Sequence, residues 1–258
     1  RQRRVRAGGS RRDRGPGRAP AFPLIPALHS GKALRAVLFD AGNTLVFLDY
    51  DRMALGVGTA LGLPMSGEEL AAHAAEATSA MESSTGTDRD RAAVYLEALF
   101  RLAGVPPTRM GEVRERLRQM HGERHLWCSV HEHTHDALGR LRAAGLRLGI
   151  VSNSDGRVDQ ALSAAGLREY FDVVIDSSVF GTEKPDPAIF RAALEALDVA
   201  PEEALFVGDL YDVDVVGARA AGMEAVLLTS SGVGQNPPCR TAASIDELVD
   251  VLLVRKTP

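Results

Sequence analysis

Short apolar segments alternate with helical segments from residue 36 to the end of the chain, and this alternation limits the possible folds more than any other feature. The apolar segments are rich in Val, Ile and Leu and occupy residues 36–39, 146–152, 172–176, 204–208 and 224–229. Several of the intervening helical segments end at a glycine, as helix C-termini often do. The pattern predicts a three-layer, Rossmann-like α/β fold, in which helices cover both faces of a parallel sheet.

Residues 50–130 interrupt the alternation, because they show no strand pattern and are too many for an ordinary loop. They contain three helical patterns: "SGEELAAHAAEATSAM", "DRAAVYLEALFRLAG" and "TRMGEVRERLRQMHGERHLW". The first opens on a capping box formed by Ser66 and Glu69. We therefore expect an all-helical cap at residues 50–130, inserted into an α/β core that comprises residues 35–49 and 131–258.

The first 34 residues differ from the rest in charge. They hold eight Arg, one Lys and one acid, which is +8, and since the whole chain carries −4 the remainder carries −12. The segment has few apolar residues to bury, so we predict that residues 1–34 are disordered. A transit peptide is the alternative, although Ser enrichment and an amphipathic pattern are absent. The acidic body is not typical of a nucleic-acid-binding protein, so no nucleic-acid partner is expected.

Cysteine content and hydropathy favour a protein of a reducing compartment, such as the cytoplasm. Cys128 and Cys239 have no metal-ligand spacing and are too few for a disulfide framework. No apolar run approaches the ~18 residues of a membrane-spanning helix, so no membrane partner is expected. The sequence carries no signal of the oligomeric state.

Side chains with catalytic chemistry follow the predicted strands at their carboxyl ends, where open parallel sheets bind ligands. In chain order they are Asp40 and Thr44 in "DAGNT", Ser152 and Asn153 in "VSNSD", Lys184 in "GTEKPDP", and Asp209 and Asp214 in "GDLYDVD". The Asp40 carboxylate can attack phosphorus to form an aspartyl phosphate. Cations must then offset the repulsion between the carboxylate and the phosphate.

Two cations are available in this interpretation. Mg²⁺ would be held by the carboxylates of Asp40, Asp209 and Asp214 and by the carbonyl of Gly42. The Lys184 ammonium would be the second cation. The hydroxyl groups of Ser152 and Thr44, with Asn153, would hold the remaining phosphate oxygens.

Each of these side chains also has an ordinary structural alternative. Asp40, Ser152 and Asn153 could simply form turns. Lys184 could be a solvated surface residue, although only three of the 30 basic residues are Lys. Asp209 and Asp214 could cap a helix, and Asp212 is expected to do so or to face solvent.

Four motifs together resemble those of the haloacid dehalogenase-like (HAD) hydrolase superfamily: "LFDAGNTL", "IVSNSD", "GTEKPDP" and "VGDLYDVDVVGARAAGM". They occur in the superfamily's order over about residues 36–250, and the inserted segment resembles the helical cap of its largest branch. The resemblance implies a Mg²⁺-dependent phosphatase that acts on a small phosphorylated metabolite. It also implies that Asp40, Lys184 and Ser152 are the catalytic residues.

The sequence departs from the superfamily at Gly42. In most of its phosphatases the residue two positions after the nucleophile is a second Asp, which protonates the leaving group. A general acid contributes roughly 10²- to 10⁴-fold, so the chain could be a slow phosphatase in which Asp49 or Asp51 substitutes. It could also be a HAD fold that binds a phosphorylated ligand or a protein partner with little turnover.

Two other HAD chemistries are disfavoured. Metal-free dehalogenation does not need the retained Asp209 and Asp214, and phosphonate hydrolysis needs a cap lysine that residues 50–130 lack. The histidines of "HEHTHD" could bind Zn²⁺, but a solvated hinge between cap and core is favoured. They are His131, His133 and His135, with His121 and His125 upstream. Tyr50 and Trp127 flank the cap, as hinge packing or as part of the substrate surface.

Overall fold

A six-stranded parallel sheet forms the centre of the protein, as expected from the alternation of strands and helices. The computed structural model describes residues 32–229 and 238–254, so most of the segment predicted to be disordered lies outside the described residues. The strands are β1 (Ala36–Phe39), β2 (Phe47–Leu48), β3 (Trp127–Ser129), β4 (Arg147–Ser152), β5 (Val173–Asp176), β6 (Ala204–Gly208), β7 (Glu224–Leu228) and β8 (Arg240–Ala242). The parallel sheet has the order β5-β4-β1-β6-β7-β8, and β2 and β3 form a separate antiparallel ribbon.

Helices cover the sheet and form the inserted cap. They are α1 (Tyr50–Leu61), α2 (Gly67–Ala72), α3 (Ala74–Glu82), α4 (Asp88–Leu102), α5 (Met110–Glu123), α6 (Thr134–Ala143), α7 (Val158–Ala164), α8 (Ser177–Phe180), α9 (Pro187–Leu197), α10 (Val216–Ala220) and α11 (Ile245–Val254). Local signals place several ends: Ser66 and Glu69 form the expected capping box, and Asp186 caps α9 ahead of Pro187. No helix among the described residues has the length and hydropathy needed to cross a bilayer.

Strand β1 lies at the middle of the sheet and is fully buried. Its alternate side chains enter two different apolar clusters: Val37 and Phe39 pack in one, and Ala36 and Leu38 in the other. Strand order runs one way from β1 to β4 and β5 and the other way from β6 to β8. Such a reversal opens a crevice at the carboxyl ends of the central strands, directly beyond β1.

The cap has an apolar cluster of its own, which includes Met53, Leu99, Phe100 and Met120. Helices α1 and α5 are joined at one end by Arg52, whose guanidinium donates hydrogen bonds to the carbonyls of Met120, Arg124 and His125. The chain enters the cap from β2 and leaves it through β3, so this ribbon links the cap to the parallel sheet.

Two details of the cap differ from the sequence interpretation. The expectation of no strand within residues 50–130 is wrong, because β3 lies at Trp127–Ser129. A strand of three residues shows no periodicity, and its partner β2 lies about 80 residues earlier in the chain. The segment "SGEELAAHAAEATSAM" also forms two helices rather than one, since the chain breaks at His73 between α2 and α3.

Candidate active site

Asp40 extends from the end of β1 into the crevice and is 7% exposed. Its backbone N–H donates to the carbonyl of Val207 at 2.8 Å, which continues the pairing of β1 with β6. Its Oδ1 accepts a hydrogen bond of 2.6 Å from Lys184 Nζ. Burial raises the pKa of Asp40 to about 6; the Lys184 charge opposes this shift and the Asp214 charge adds to it.

Lys184 lies between two carboxylates and is almost completely buried. Its Nζ donates to Asp40 Oδ1 at 2.6 Å and to Asp214 Oδ1 at 2.7 Å. Burial lowers the pKa of Lys184, but the charges of Asp214 and Asp40 outweigh it and hold that pKa above its usual value. A solvated surface position for this lysine, the alternative that the sequence left open, is therefore wrong.

Asp214 is 1% exposed, and both of its carboxylate oxygens accept hydrogen bonds. Oδ1 faces Lys184, and Oδ2 accepts from the backbone N–H groups of Asp209 and Leu210 at 3.1 and 3.0 Å. The carboxylate turns back in this way because residues Tyr211–Val215 form a π-helical turn, a conformation frequent at functional sites. Asp214 therefore holds Lys184 and orders the loop that follows β6.

Gly208, the last residue of β6, makes this arrangement possible. A Cβ atom at this position would stand 2.4 Å from both Cγ and Oδ2 of Asp214. Because no side chain fits there, the carboxylate of Asp214 can pack directly against the main chain of the strand. The sequence analysis did not single out Gly208, although a glycine before a strand-end aspartate is visible in "VGDL".

Asp209 completes a group of three carboxylates. One oxygen from each of Asp40, Asp209 and Asp214 lies within 4.8 Å of the others. Burial raises the pKa of Asp209 well above its usual value, and the charges of Asp40 and Asp214 raise it further. Three carboxylates and the single Lys184 ammonium leave an excess of negative charge. Carboxylate oxygens are also hard ligands of the kind that Mg²⁺ prefers. For both reasons these residues fit a divalent cation.

The residues after β4 lie beside this cluster. Ser152 is 5% exposed and is paired in the sheet with Asp176 of β5. Asn153 forms two hydrogen bonds with the main chain of Lys184. Its Nδ2 donates to the Lys184 carbonyl at 3.1 Å, and its Oδ1 accepts from the Lys184 N–H at 2.8 Å. Asn153 thus places the lysine, a use of this side chain that the sequence did not indicate.

Thr44 and Gly42 lie in the turn between β1 and β2. Thr44 is 4% exposed, and its Oγ1 has no hydrogen-bond partner among the described residues. A buried hydroxyl without a partner is costly unless a ligand or water satisfies it. Gly42 is half-buried between Asp40 and Thr44, and its carbonyl stays a predicted metal ligand.

Asp176, at the end of β5, orders the loop after β4 and was missed by the sequence analysis. Its carboxylate accepts from the backbone N–H groups of Gly156, Val158 and Ser178 at 3.0–3.1 Å. The same rule that selected Asp40, a carboxylate at the end of a buried strand, would have found it. With its side chain fully engaged by backbone donors, Asp176 supports the loop rather than the chemistry.

Asp49 and Asp51, the suggested substitutes for a general acid, have other contacts. Asp49 caps α1 by accepting from the Arg52 N–H at 3.0 Å, and it forms an ion pair of 2.9 Å with Arg124. Asp51 is exposed and lies against Gly67 at the start of α2. These contacts hold both carboxylates to the cap helices and give no support to either as the substitute acid.

The histidines do not converge as the "HEHTHD" motif could suggest. His131 stacks on Phe47 at 3.9 Å between ring centroids, and His135 contacts Tyr170. The upstream pair does come together across the boundary of cap and core: His121 Nε2 lies 2.9 Å from Asp155 Oδ2, and His125 Nε2 lies 3.9 Å from Asp155 Oδ1.

This histidine–aspartate cluster does not suit a metal ion. His121 Nδ1 accepts a hydrogen bond from the Leu126 N–H. The proton of the ring is therefore on Nε2, which donates a hydrogen bond to Asp155. The Arg157 guanidinium also binds Asp155 and supplies positive charge that a metal would meet. Arg157 donates to the His121 carbonyl at 2.9 Å, so the cluster fastens the end of α5 to the loop after β4.

Comparisons with known proteins identify the family of the chain. A family model described as haloacid dehalogenase-like hydrolase matches residues 34–222. Haloacid dehalogenase-like hydrolase domain-containing protein 3 of Mus musculus is 42% identical over 133 residues, or 51% of this chain and 53% of that relative. The chain therefore matches about half the length of that relative.

Two further similarities cover more of the chain. The phosphoserine phosphatase of Thermus thermophilus is 34% identical over 175 residues, or 67% of this chain and 68% of that protein. The crystal structure of a HAD phosphatase from Thermococcus onnurineus superposes with a TM-score of 0.53 at 28% identity, covering 85% of this chain and 98% of that one. With the carboxylate cluster at the sheet's crevice and a family model that matches most of its length, the chain belongs to the haloacid dehalogenase-like hydrolases.

Proposed function

We propose that this chain is a Mg²⁺-dependent phosphatase that acts on a small phosphorylated metabolite, with Asp40 as the nucleophile. The observation that carries the proposal is the position of Lys184, which is buried and bridges the nucleophile to Asp214. A buried ammonium at this point can offset the charge of a phosphoryl group that approaches Asp40. The similarity to phosphatases supports the same reaction class.

In the proposed reaction an Asp40 oxygen forms a bond to phosphorus while the bond from phosphorus to the leaving oxygen breaks. The electron pair of the broken bond stays on the leaving oxygen. Water then attacks the aspartyl phosphate, releases phosphate and restores the Asp40 carboxylate. Ser152 and Thr44 are proposed to hold phosphoryl oxygens, and Asn153 to keep Lys184 in place.

The ligands of the metal would be Asp40 and Asp209, with the Gly42 carbonyl and Asp214 completing the set. When bound, Mg²⁺ neutralises charge on the phosphoryl oxygens and orients them. Asp214 would contribute mainly through its contacts, since its oxygens already accept three hydrogen bonds.

One measurement tests the proposal directly. Purified protein is assayed with p-nitrophenyl phosphate and acetyl phosphate, with Mg²⁺ and with EDTA, beside Asp40→Asn. Asp212→Asn is the matched control, because Asp212 is exposed on the same turn as Asp214. We expect hydrolysis that needs Mg²⁺ and Asp40 and survives the change at Asp212; equal activity in wild type and Asp40→Asn would refute the proposal.

Gly42 favours a second candidate, a HAD fold that binds a phosphorylated ligand or a protein partner with little turnover. A glycine there leaves no carboxylate to protonate a leaving group. Under this alternative, Asp40→Asn would change no rate, while phosphate with Mg²⁺ would still raise the melting temperature of the wild type.

A further inference from the structure

The indole ring of Trp127 stands beside the place that the side chain of the missing acid would occupy. A Cβ atom built on Gly42 would lie 3.7 Å from both Cδ1 and Nε1 of Trp127, and no other atom of the described residues, apart from those of Gly42 and its chain neighbours, would lie within 4 Å. These two atoms form the edge of the ring that carries the indole N–H. The edge of Trp127 that donates hydrogen bonds therefore faces the space above Gly42, two residues from the nucleophile.

The surroundings of Trp127 hold this orientation. The residue belongs to β3 and is paired with Leu48 of β2. Its ring packs partly buried against both the cap cluster and the core cluster, and its backbone N–H donates to His125 Nδ1 at 3.3 Å. The ring is therefore fixed by the ribbon that joins cap and core.

The indole N–H has no hydrogen-bond acceptor within the part of the chain that the structure describes. The N–H is not among the fully buried unpaired atoms of the described residues, so water or a ligand can reach it. Here the edge that carries the donor faces residue 42, which lies two positions from Asp40 and two from Thr44, whose hydroxyl has no partner among the described residues. Both features point to a ligand atom that accepts hydrogen bonds.

We propose that Trp127 determines substrate specificity by donating its indole N–H to the leaving-group oxygen of the phosphorylated substrate. This inference rests on the proposed phosphatase function and narrows its substrate class. The indole stabilises negative charge by a hydrogen bond but does not release its proton at physiological pH. The leaving oxygen therefore departs as an anion and takes its proton from water afterwards.

A site of this kind selects substrates with weakly basic leaving groups. These are aryl phosphates and acyl phosphates, whose leaving oxygen needs no proton transfer as the bond breaks. Alkyl phosphates require a general acid, which neither Gly42 nor Trp127 supplies.

The test compares Trp127→Phe with wild type across a series of substituted phenyl phosphates of rising leaving-group pKa. Phenylalanine keeps a packed ring and removes only the donor. We expect kcat/KM to fall about tenfold for phenyl phosphate, the usual effect of one hydrogen bond to a charged group, and less for p-nitrophenyl phosphate. A loss equal for every leaving group would indicate a packing role and overturn the inference.

Two controls accompany the series. Tyr50→Phe removes a hydroxyl that bonds to Tyr95 inside the cap and should leave the leaving-group dependence unchanged. In a Gly42→Asp background, Trp127→Phe should cost much less than in wild type, because a carboxyl then serves the same oxygen. Equal costs in the two backgrounds would count against a shared position.

A binding measurement separates this inference from the proposed function. Trp127 is the only tryptophan of the chain, so its fluorescence reports on this position alone. With Asp40→Asn protein and Mg²⁺, we expect phenyl phosphate to change the emission in a saturable way and inorganic phosphate to change it little. If phenyl phosphate changes the emission but wild type does not hydrolyse it, the phosphatase function is refuted and the contact with Trp127 stands. If wild type hydrolyses phenyl phosphate but the emission does not change, the contact is refuted and the phosphatase function stands.

Discussion

Lys184 Nζ lies 2.6 Å from Asp40 Oδ1, and this contact joins a loop after β5 to the end of β1, 144 residues earlier. Both groups are withdrawn from water, so each depends on the other for its charged state. Among the described residues, Lys184 is also the only lysine that contacts members of the carboxylate cluster, namely Asp40 and Asp214.

Replacing Lys184 with Met should therefore destabilise the metal-free protein. Removal of one partner from a buried ion pair usually costs about 3–5 kcal/mol. Urea unfolding at pH 7 in EDTA measures the loss, and Mg²⁺ should restore part of it, because the cation neutralises the same carboxylates.

Lys184→Arg keeps the charge and should lose less stability, yet hydrolysis should still fail because the guanidinium differs in shape. Unchanged stability of Lys184→Met in EDTA would contradict the electrostatic account.

Gly208→Ala should disable the site without an alteration of any charged residue. The added Cβ would stand 2.4 Å from the Asp214 carboxylate, so Asp214 must move and release Lys184 and the two backbone N–H groups that it accepts from. We expect at least a tenfold loss of Mg²⁺ affinity, measured by titration of the melting temperature. Gly139→Ala is the matched control, since an added Cβ at Gly139 in α6 would meet no atom of the described residues within 4 Å apart from the adjacent residues and backbone of its own helix. That change should be neutral or stabilise the protein by up to about 1 kcal/mol.

The sequence predicted those parts of the protein whose signal is local. The bounds of β1 and β6 were predicted to the residue, and the other three predicted strands to within one residue, because apolar runs between turn residues are short-range patterns. The cluster of Asp40, Lys184, Asp209 and Asp214 was predicted because strand ends meet at one edge of a parallel sheet.

Contacts between distant segments were not predictable in this way. Three features depend on partners that are remote in sequence: the β2–β3 ribbon, the short strand β8, and the hydrogen bonds between Asn153 and the main chain of Lys184. Trp127 over Gly42 is the clearest case, since the two are 85 positions apart and no spacing rule relates them. Gly42 itself was recognised as unusual, but only the fold shows which side chain faces it.

The contact between cap and core at His125 should make stability depend on pH. Burial, and to a smaller extent the charge of the neighbouring His121, lower the pKa of His125 from 6.5 to about 4. Between these two pH values the unfolded chain binds a proton at this residue that the folded chain does not. His125 should therefore contribute a fall in the free energy of unfolding, of up to about 3 kcal/mol, as the pH drops from about 6.5 to 4. Asp40 and Asp209, whose pKa values are raised in the folded protein, contribute in the opposite direction.

The groups around His125 separate its effect from others. His121 also has a lowered pKa and adds to the fall in the same direction, whereas Asp155, with a pKa of about 2, contributes only below about pH 4. The Arg157 guanidinium lies in the same cluster, in an ion pair with Asp155. Urea unfolding of wild type and of His125→Gln at several pH values in EDTA isolates this contribution, because the free energy of unfolding of wild type relative to the variant should fall as the pH drops from 6.5 to 4. An identical slope in that variant would show that the proton binds elsewhere.

Gly42→Asp should raise turnover on alkyl phosphates by about 10²-fold, because it supplies the proton donor that the site lacks. The backbone at Gly42 does not adopt the left-handed conformation that only glycine tolerates well, and an added Cβ would meet Trp127 at an ordinary contact distance of 3.7 Å. Gly42→Asn is the matched control: it has the same size but cannot transfer a proton, so its alkyl phosphatase rate should stay near that of wild type. A rate with Gly42→Asp no higher than with Gly42→Asn, in a protein that unfolds at the wild-type temperature, would mean that the leaving group does not lie above residue 42.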